Sequence, residues 1–313
     1  MEVFHHPKNI SQEYPRPIVA IGVFDGLHRA HQQLIRYIVR RAKKLRGTSM
    51  VMTFWPHPFH VLHPSDKLPL IVSLPYRLQL LKELGVDACI VVPFTKHFSR
   101  MTPEKFVRNY LVEKVHPYEV VVGDDFRFGK DRKGSLESFG LLAKQYGFHV
   151  TGIHARMTQG HKTISSTRIR TCILEGKLAE AAELLGRQFA ILGKVVSGHT
   201  RGRSLGYPTA NINPAGEVLP PRGVYLVNVY YQNKKYSGLA NVGIRPSFQK
   251  KNSQTNIEVH LLDFHQDLYH QEILVEFLKK IREEKKFLSQ EALIEQIRRD
   301  EQNARRWFAR QSR

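Results

Sequence analysis

Residues Gly22-Val-Phe-Asp-Gly-Leu-His28-Arg-Ala-His31 follow directly on the apolar run Ile18-Val-Ala-Ile21. The run reads as a buried strand, Asp25-Gly26 as a tight turn, and the stretch from His28 as the start of a helix. A spacing of three then sets His28 and His31 on one helical face. A helix N-terminus attracts anions, so two imidazoles at its mouth suit phosphate groups and nucleotidyl transfer. Without context, His-x-x-His reads first as two ordinary surface histidines; the strand–turn–helix setting favours the site.

Downstream of the turn, the helix is predicted from near His28 to Arg46, with Leu34, Ile35, Ile38 and Ala42 on one face and Gly47 as its stop. Further strand-like runs fall at 49–54, 88–92, 119–122 and 148–153. Between them lie helical patterns: 76–84 before Gly85, one capped by Thr102 with Pro103 in first position, and one from Ser135 to near Gly147. Five strands alternating with helices predict a doubly wound α/β domain with a parallel sheet. Ligands of such sheets bind beyond the carboxyl ends of strands, where 22–31, 54–57 and 123–128 all begin.

After a helix at 178–185, closed by Gly186, the rhythm changes. β-rich runs at 190–196, 224–231, 236–242, 257–262 and 273–277 predict an antiparallel barrel or sandwich. A last helix begins at Ser289, with Leu288 stapled to Leu293 and an apolar stripe of Leu293, Ile297, Ala304 and Trp307. Two domains are expected, 1–186 and 187–313.

The 313 residues, 42% of them hydrophobic, suffice for two cores. The net charge of +20 is spread evenly, with 27 basic against 16 acidic residues in 1–185 and 21 against 12 in 186–313. Anionic small substrates account for it, and no dedicated nucleic-acid partner is expected. Two cysteines, Cys89 and Cys172, make no disulfide framework, and Cys89 reads as a core residue. With no signal-like N-terminus and no apolar run near membrane-spanning length, a cytoplasmic protein without membrane contact is expected, as monomer or weak homo-oligomer.

Three further segments carry chemistry. Thr53-Phe-Trp-Pro-His57-Pro58 offers the flat faces of Phe54 and Trp55 on a proline-stiffened loop. His57, His60 and His63 invite a metal reading, which Pro58, Pro64 and the lack of acidic or cysteine partners argue against. In Ile164-Ser-Ser-Thr-Arg168-Ile-Arg170, hydroxyls and arginines at a helix start fit phosphate oxygens, although taken alone the stretch reads first as an ordinary cap at Ser165 or Ser166 with exposed arginines.

The second half opens with a glycine-rich stretch from Gly198 through Gly202, Arg203 and Gly206 to Pro208-Thr209-Ala-Asn211. Thr209 and Asn211, two apart on a strand, present hard oxygens for Mg²⁺ on one face. Glu258, in an otherwise apolar strand, is either a general base for a hydroxyl or an outward-facing strand residue. The usual P-loop, G-x-G-x-x-G, H-E-x-x-H and G-x-S-x-G patterns are absent.

In this order the segments resemble the bacterial bifunctional riboflavin kinase/FMN adenylyltransferase (FAD synthetase) family over nearly the whole chain. The matching stretches include 22–31, 53–58, Val122-Gly-Asp-Asp-Phe-Arg-Phe-Gly129, 164–170, 202–211, Pro221-Arg-Gly-Val-Tyr225, Asn241-Val-Gly-Ile-Arg-Pro246 and 258–264. The resemblance implies a Rossmann-like nucleotidyltransferase domain that joins FMN to the AMP part of ATP and releases pyrophosphate. It implies a β-barrel flavokinase domain with a terminal helix that phosphorylates riboflavin.

By the same resemblance His28 and His31 would stabilise phosphate charge. Gly22, Phe24, Asp25, Gly26, Ser166, Thr167 and Arg168 would hold ATP. Phe54, His57, Pro58, Asp125, Phe126, Arg127 and Phe128 would line the flavin. In the barrel, Gly202, Arg203, Gly206, Thr209 and Asn211 would hold ATP, Thr209 and Asn211 also Mg²⁺, and Glu258 would activate the ribityl hydroxyl. ATP is thus the expected co-substrate, and riboflavin, FMN and FAD the expected flavins.

One departure stands out: Ala30 occupies the glycine position of the family's H-x-G-H. A methyl there puts adenylyl-transfer rate or ATP affinity in question. Val23 (commonly Asn) and Ser247 (commonly Thr) are softer differences. The rival readings are the same fold with only the kinase step active, and a basic flavin-binding regulator that touches RNA.

Overall fold

The computed structural model describes residues 1–5, 14–154, 158–159, 162–196, 207–214, 216–244 and 255–311. The first part runs β1 (Glu2–Phe4), β2 (Pro17–Ile21), α1 (Arg29–Leu45), β3 (Thr48–Trp55), α2 (Pro58–Leu62), α3 (Leu74–Glu83), β4 (Ala88–Pro93), α4 (Lys96–Ser99), α5 (Pro103–Phe106), β5 (Glu119–Gly123), α6 (Leu136–Tyr146) and β6 (His149–Ile153). The six strands pair in parallel in the order β1-β4-β3-β2-β5-β6. The sequence predicts five of them; β1, three residues long, carries too short a pattern to read.

β2 is buried at every position, as a central strand covered on both faces must be. Val19, Ile21, Met50, Met52, Val120 and Val122 pack with Phe106, Val107 and Leu111 from the helical segment after Thr102 and with Phe139 of α6. The alternate residues Ile18, Ala20 and Val51 face the other way, where α1 buries Leu34, Ile35, Ile38 and Ala42. Because β2 has β3 on one side and β5 on the other, the chain reverses direction across the sheet there, which opens a crevice at the carboxyl end of β2.

Local signals decide the boundaries. Thr102 Oγ1 caps α5 ahead of Pro103, and Ser135 forms a capping box with Ser138. One stop differs from expectation. The left-handed residue ending α1 is Arg46 (φ 50°), not Gly47. Gly47 is required for space instead, since a Cβ there would stand 2.5 Å from the Arg16 carbonyl oxygen.

The hairpin β7 (Thr158–Gln159) and β8 (Lys162–Thr163) leads to α7 (Ser166–Leu174) and α8 (Leu178–Leu185). Then come β9 (Phe189–Val196), β10 (Ala210–Ile212), β11 (Gly223–Tyr231), β12 (Lys234–Ile244), β13 (Thr255–Leu261), β14 (Glu272–Arg282) and α9 (Gln290–Gln311). Here the sequence left barrel or sandwich open, and the structure is a closed antiparallel barrel in the order β10-β13-β12-β11-β14-β9.

Phe189, Tyr225 and Phe277 meet ring to ring in the barrel core. On the outside α9 lays Ala304, Trp307 and Phe308 against Val224, Leu226, Leu239 and Leu262. A buried ion pair, Arg282 Nη2 to Asp300 Oδ2 at 2.7 Å, fixes it there. The expected Leu288–Leu293 staple is absent: Leu288 is fully exposed. Contacts divide the chain into two compact units, residues 1–68 with 74–165, and 69–73 with 166–313. α7 and α8 precede the composition change at Gly186 yet fall in the second unit, where α8 packs on β9 and β14.

Candidate functional sites

The turn between β2 and α1 is strained and tightly held. Phe24, Gly26 and Leu27 all take left-handed backbone, with φ of 53°, 80° and 41°. Glycine tolerates this freely; Phe24 and Leu27 need support from their surroundings. The Phe24 ring packs against Gly22, where a Cβ, if present, would approach it to 2.8 Å. Gln32 Nε2 donates to the Leu27 carbonyl at 2.9 Å, and the Leu27 amide donates to the Phe24 carbonyl at 3.1 Å.

His28 is not in the first turn of α1 but is its N-cap, and its Nδ1 accepts from the His31 amide at 3.4 Å. A neutral imidazole that accepts at Nδ1 carries its proton on Nε2, which leaves Nε2–H as the donor. The two rings nevertheless meet as the spacing predicts. They stack with centroids 3.6 Å apart and planes 16° from parallel, and Phe24 meets His31 edge-on at 5.3 Å. Burial first, then the neighbouring His28 and the Arg77 cation, hold the His31 imidazole well below the ordinary histidine range. Its Nδ1 is buried without a hydrogen-bond partner.

Asp25, in the turn that leads to this pair, is buried, and Ala30 is buried with ordinary right-handed backbone. Arg77 of α3, which sequence reasoning did not single out, is fully buried in the same unit and donates to Thr53 Oγ1 at 3.4 Å. The signal for it was present: Tyr76, Arg77, Leu80 and Leu81 form the buried face of α3, and an arginine on such a stripe is out of place.

Next to the turn lies a cavity of ≈ 840 Å³ lined by aromatic faces and basic side chains. Gly22, Phe54, Pro58, Asp125, Phe126, Arg127 and Phe128 all line it, together with Phe94, Phe98, Arg100, Lys130 and Arg132, none of which the sequence reading named. Phe54, Phe94 and Phe98 cluster with centroids 5.4–6.0 Å apart. His57 does not line this cavity. Its ring is buried, and its Nδ1 caps α2 by accepting from the Phe59 amide at 3.1 Å. His60 faces the Leu68 carbonyl at 2.7 Å, and no cluster of three metal-ligating side chains exists among the described residues.

Ser166, Thr167 and Arg168 open α7 in the second unit. Neither arginine here is the exposed group that a plain cap would leave. Arg168 pairs with Glu180 of α8 at 2.6 Å, and Arg170 is buried with Nε on the Pro69 carbonyl at 2.8 Å.

In the barrel, β10 sits between β9 and β13, with Asn211 opposite both Val196 and Glu258. Glu258 in turn stands opposite Asn241 of β12, so Asn211, Glu258 and Asn241 form one row across three strands. Ile257, Val259 and Leu261 of β13 are buried and Glu258 is exposed, so the row lies on the outer face of the barrel. The outward alternative for Glu258 is therefore correct as geometry, and that face is the one on which Asn211 stands. Asn256 Nδ2 donates to Asn211 Oδ1 at 2.7 Å and lies 3.5 Å from Glu258 Oε1.

Thr209 and Asn211 line a second cavity of ≈ 380 Å³ together with Pro208 and residues Phe264 to Tyr269. Gly202, Arg203 and Gly206 lie outside the described residues.

Comparison with known proteins covers both halves of the chain. The FAD synthetase family model matches residues 10–168, and the riboflavin kinase family model matches residues 185–308. The chain is 40% identical to the bifunctional riboflavin kinase/FMN adenylyltransferase of Escherichia coli K12 over 93% of this chain and 92% of that one. It is 37% identical to the protein of the same name from Bacillus subtilis over 99% of each. A solved structure described as a macrolide-efflux protein from Streptococcus pneumoniae superposes with a TM-score of 0.81 at 32% identity, covering 98% of this chain and 100% of that one. No helix among the described residues is long and apolar enough to cross a membrane. With both halves matched in order and the relatives covered almost end to end, the chain belongs to the bifunctional riboflavin kinase/FMN adenylyltransferase family, an FAD synthetase part followed by a riboflavin kinase part.

Proposed function

We propose that the first unit adenylylates FMN and the barrel phosphorylates riboflavin, each with its own ATP. The observation that carries the first assignment is the stacked His28–His31 pair at the mouth of α1, beyond the carboxyl end of β2. An FMN phosphate oxygen attacks the α-phosphorus of ATP, and the bond to the departing pyrophosphate breaks. His28 Nε2–H and the α1 amides donate to phosphate oxygens whose charge rises in that transition state. No covalent enzyme intermediate is needed, because the work is alignment and charge stabilisation. The aromatic cavity beside the turn has the faces for an isoalloxazine ring, through Phe54, Pro58, Phe126 and Phe128, with Asp125 and Arg127 at its edge. Ser166, Thr167 and Arg168 remain candidates for ATP.

In the barrel, Glu258 takes the proton of the ribityl hydroxyl as that oxygen attacks the γ-phosphorus, and ADP leaves. Thr209 and Asn211 fit Mg²⁺ as hard oxygen donors. Asn211 Oδ1 already accepts from Asn256 but keeps a second lone pair, and so small a protein donor set suits an ion held mainly by ATP phosphates and water. Bound there, the ion supplies neutralisation of phosphate charge. Incubation with riboflavin, ATP and Mg²⁺ tests the proposal. FMN appearing first and FAD with pyrophosphate following supports it, whereas FMN accumulating alone removes the adenylyl-transfer assignment.

A further inference from the structure

Arg77 is an arginine in a core position: its side chain is 0% exposed among Tyr76, Leu80 and Leu81 of the same helix face. A guanidinium carries five N–H donors. Here Nη1 reaches Thr53 Oγ1 at 3.4 Å, while Nε and Nη2 are buried with no hydrogen-bond partner. So poorly satisfied a buried cation is costly, and an apolar residue would serve packing better. What favours its charge is the buried carboxylate of Asp25.

Of the two groups it engages, one belongs to the histidine-bearing turn and the other holds it. Asp25 lies within that turn, between the left-handed residues Phe24 and Leu27. Thr53, at the end of β3, donates its hydroxyl to the Val23 carbonyl at 3.1 Å. Arg77 thus supports the turn from α3 at two places, through Thr53 on Val23 and through charge on Asp25. We infer that Arg77 is a positioning residue for adenylyl transfer, which holds the 22–31 turn so that His28 and His31 meet the phosphates in register. It touches no substrate.

A second effect follows from its charge. The groups acting on His31 are His28 and Arg77, and those acting on Arg77 are Asp25 and Cys89. Arg77 disfavours a proton on His31, so removing its charge raises the His31 titration point.

The inference rests on the first unit being the adenylyl-transfer site, and the test separates the two. In the full chain, Arg77→Met is expected to slow FMN-to-FAD conversion by about 10- to 100-fold, because small misplacements of reacting groups cost that much. Riboflavin-to-FMN conversion is expected to stay within about twofold, because Arg77 has no part in the second unit, where that site lies. Imidazole NMR titration of the same variant should show His31 protonating at higher pH than in the wild type. A folded Arg77→Met protein with wild-type FAD formation and an unmoved His31 titration overturns the inference, as does an equal fall in both steps. Should Arg77→Met fail to fold, Thr53→Val tests the same support with little change of volume. A fall in FAD formation of about three- to tenfold, the value of one hydrogen bond, is expected, and an unchanged rate overturns the inference. If the wild type makes no FAD, the adenylyl-transfer reading fails, while the His31 titration still decides whether Arg77 acts on that imidazole.

Discussion

His28 caps the helix on which His31 rides. Its Nδ1 accepts the His31 amide while its ring stacks on the His31 ring at 3.6 Å. One side chain therefore starts α1 and aligns the pair, and the two roles can be pulled apart. Asparagine caps helices as well as any residue but has no imidazole. His28→Asn should keep thermal stability within about 1 kcal/mol and lower FMN-to-FAD conversion by about 100-fold or more, the scale for losing a transition-state donor. A thermal melt beside a product assay measures both, and full activity in a stable His28→Asn protein would remove His28 from the chemistry.

The depressed His31 fixes a pH dependence. Its folded-state proton affinity lies below that of an exposed histidine near 6.5, so the unfolded chain binds more protons just below that pH. Stability from this group is complete above 6.5 and falls as pH drops through it toward the folded-state value. The loss for one such histidine between pH 7.5 and 5.5 is about 1 kcal/mol. His31→Gln should lack this component, and comparing urea midpoints of the first unit's unfolding in the two proteins at those pH values measures it. Equal pH slopes would show that His31 is not held neutral by the fold.

What was legible in the sequence was local. Thr102-Pro103, Ser135, Gly147 and Gly186 mark helix ends because a cap is a short-range event, and each stands where expected. The parallel sheet followed from strand–helix alternation, whereas its strand order did not, and the His28–His31 meeting was expected from helical spacing but rests on His28 as N-cap. What stayed hidden depends on residues distant in the chain. Glu119 looks like a charged strand start, yet it is buried and takes hydrogen bonds from Arg41 and Thr151 at 2.8 and 2.7 Å. Burial pushes its carboxyl up, and those bonds outweigh it and hold the carboxyl below the usual range. Arg77 needed the position of Asp25, and Arg168 needed the approach of Glu180. Whether Glu258 faced in or out was undecidable until the barrel closed and set its parity.

Ala30 changes its meaning once placed. As a departure from H-x-G-H it puts the transferase rate in question, and on that reading Ala30→Gly would raise FAD formation. In the structure Ala30 is 6% exposed within the first turn of α1 and free of left-handed backbone, so its methyl is packed into the protein. Ala30→Gly should therefore destabilise the first unit by roughly 0.5–1 kcal/mol and leave FAD formation within about twofold, since no packed group moves toward the phosphates. A rate gain of about tenfold, read in a steady-state assay with FMN and ATP, would show instead that the methyl obstructs the nucleotide.

Glu258 offers the cleanest separation of the two reactions. It stands opposite Asn211 on the outer face of the barrel, in the second unit, whereas His28 and His31 belong to the first. Glutamine keeps its size and its hydrogen-bonding reach toward Asn256 but cannot accept a proton from a hydroxyl. Glu258→Gln should lower riboflavin phosphorylation by about 100-fold or more, the upper range for general-base loss. Conversion of supplied FMN to FAD should continue at the wild-type rate, and because the residue is exposed, stability should change by less than about 0.5 kcal/mol. Product analysis with riboflavin and, separately, with FMN decides it. Loss of both conversions would mean that the sites are not independent, and retention of both would mean that the ribityl proton leaves by another route.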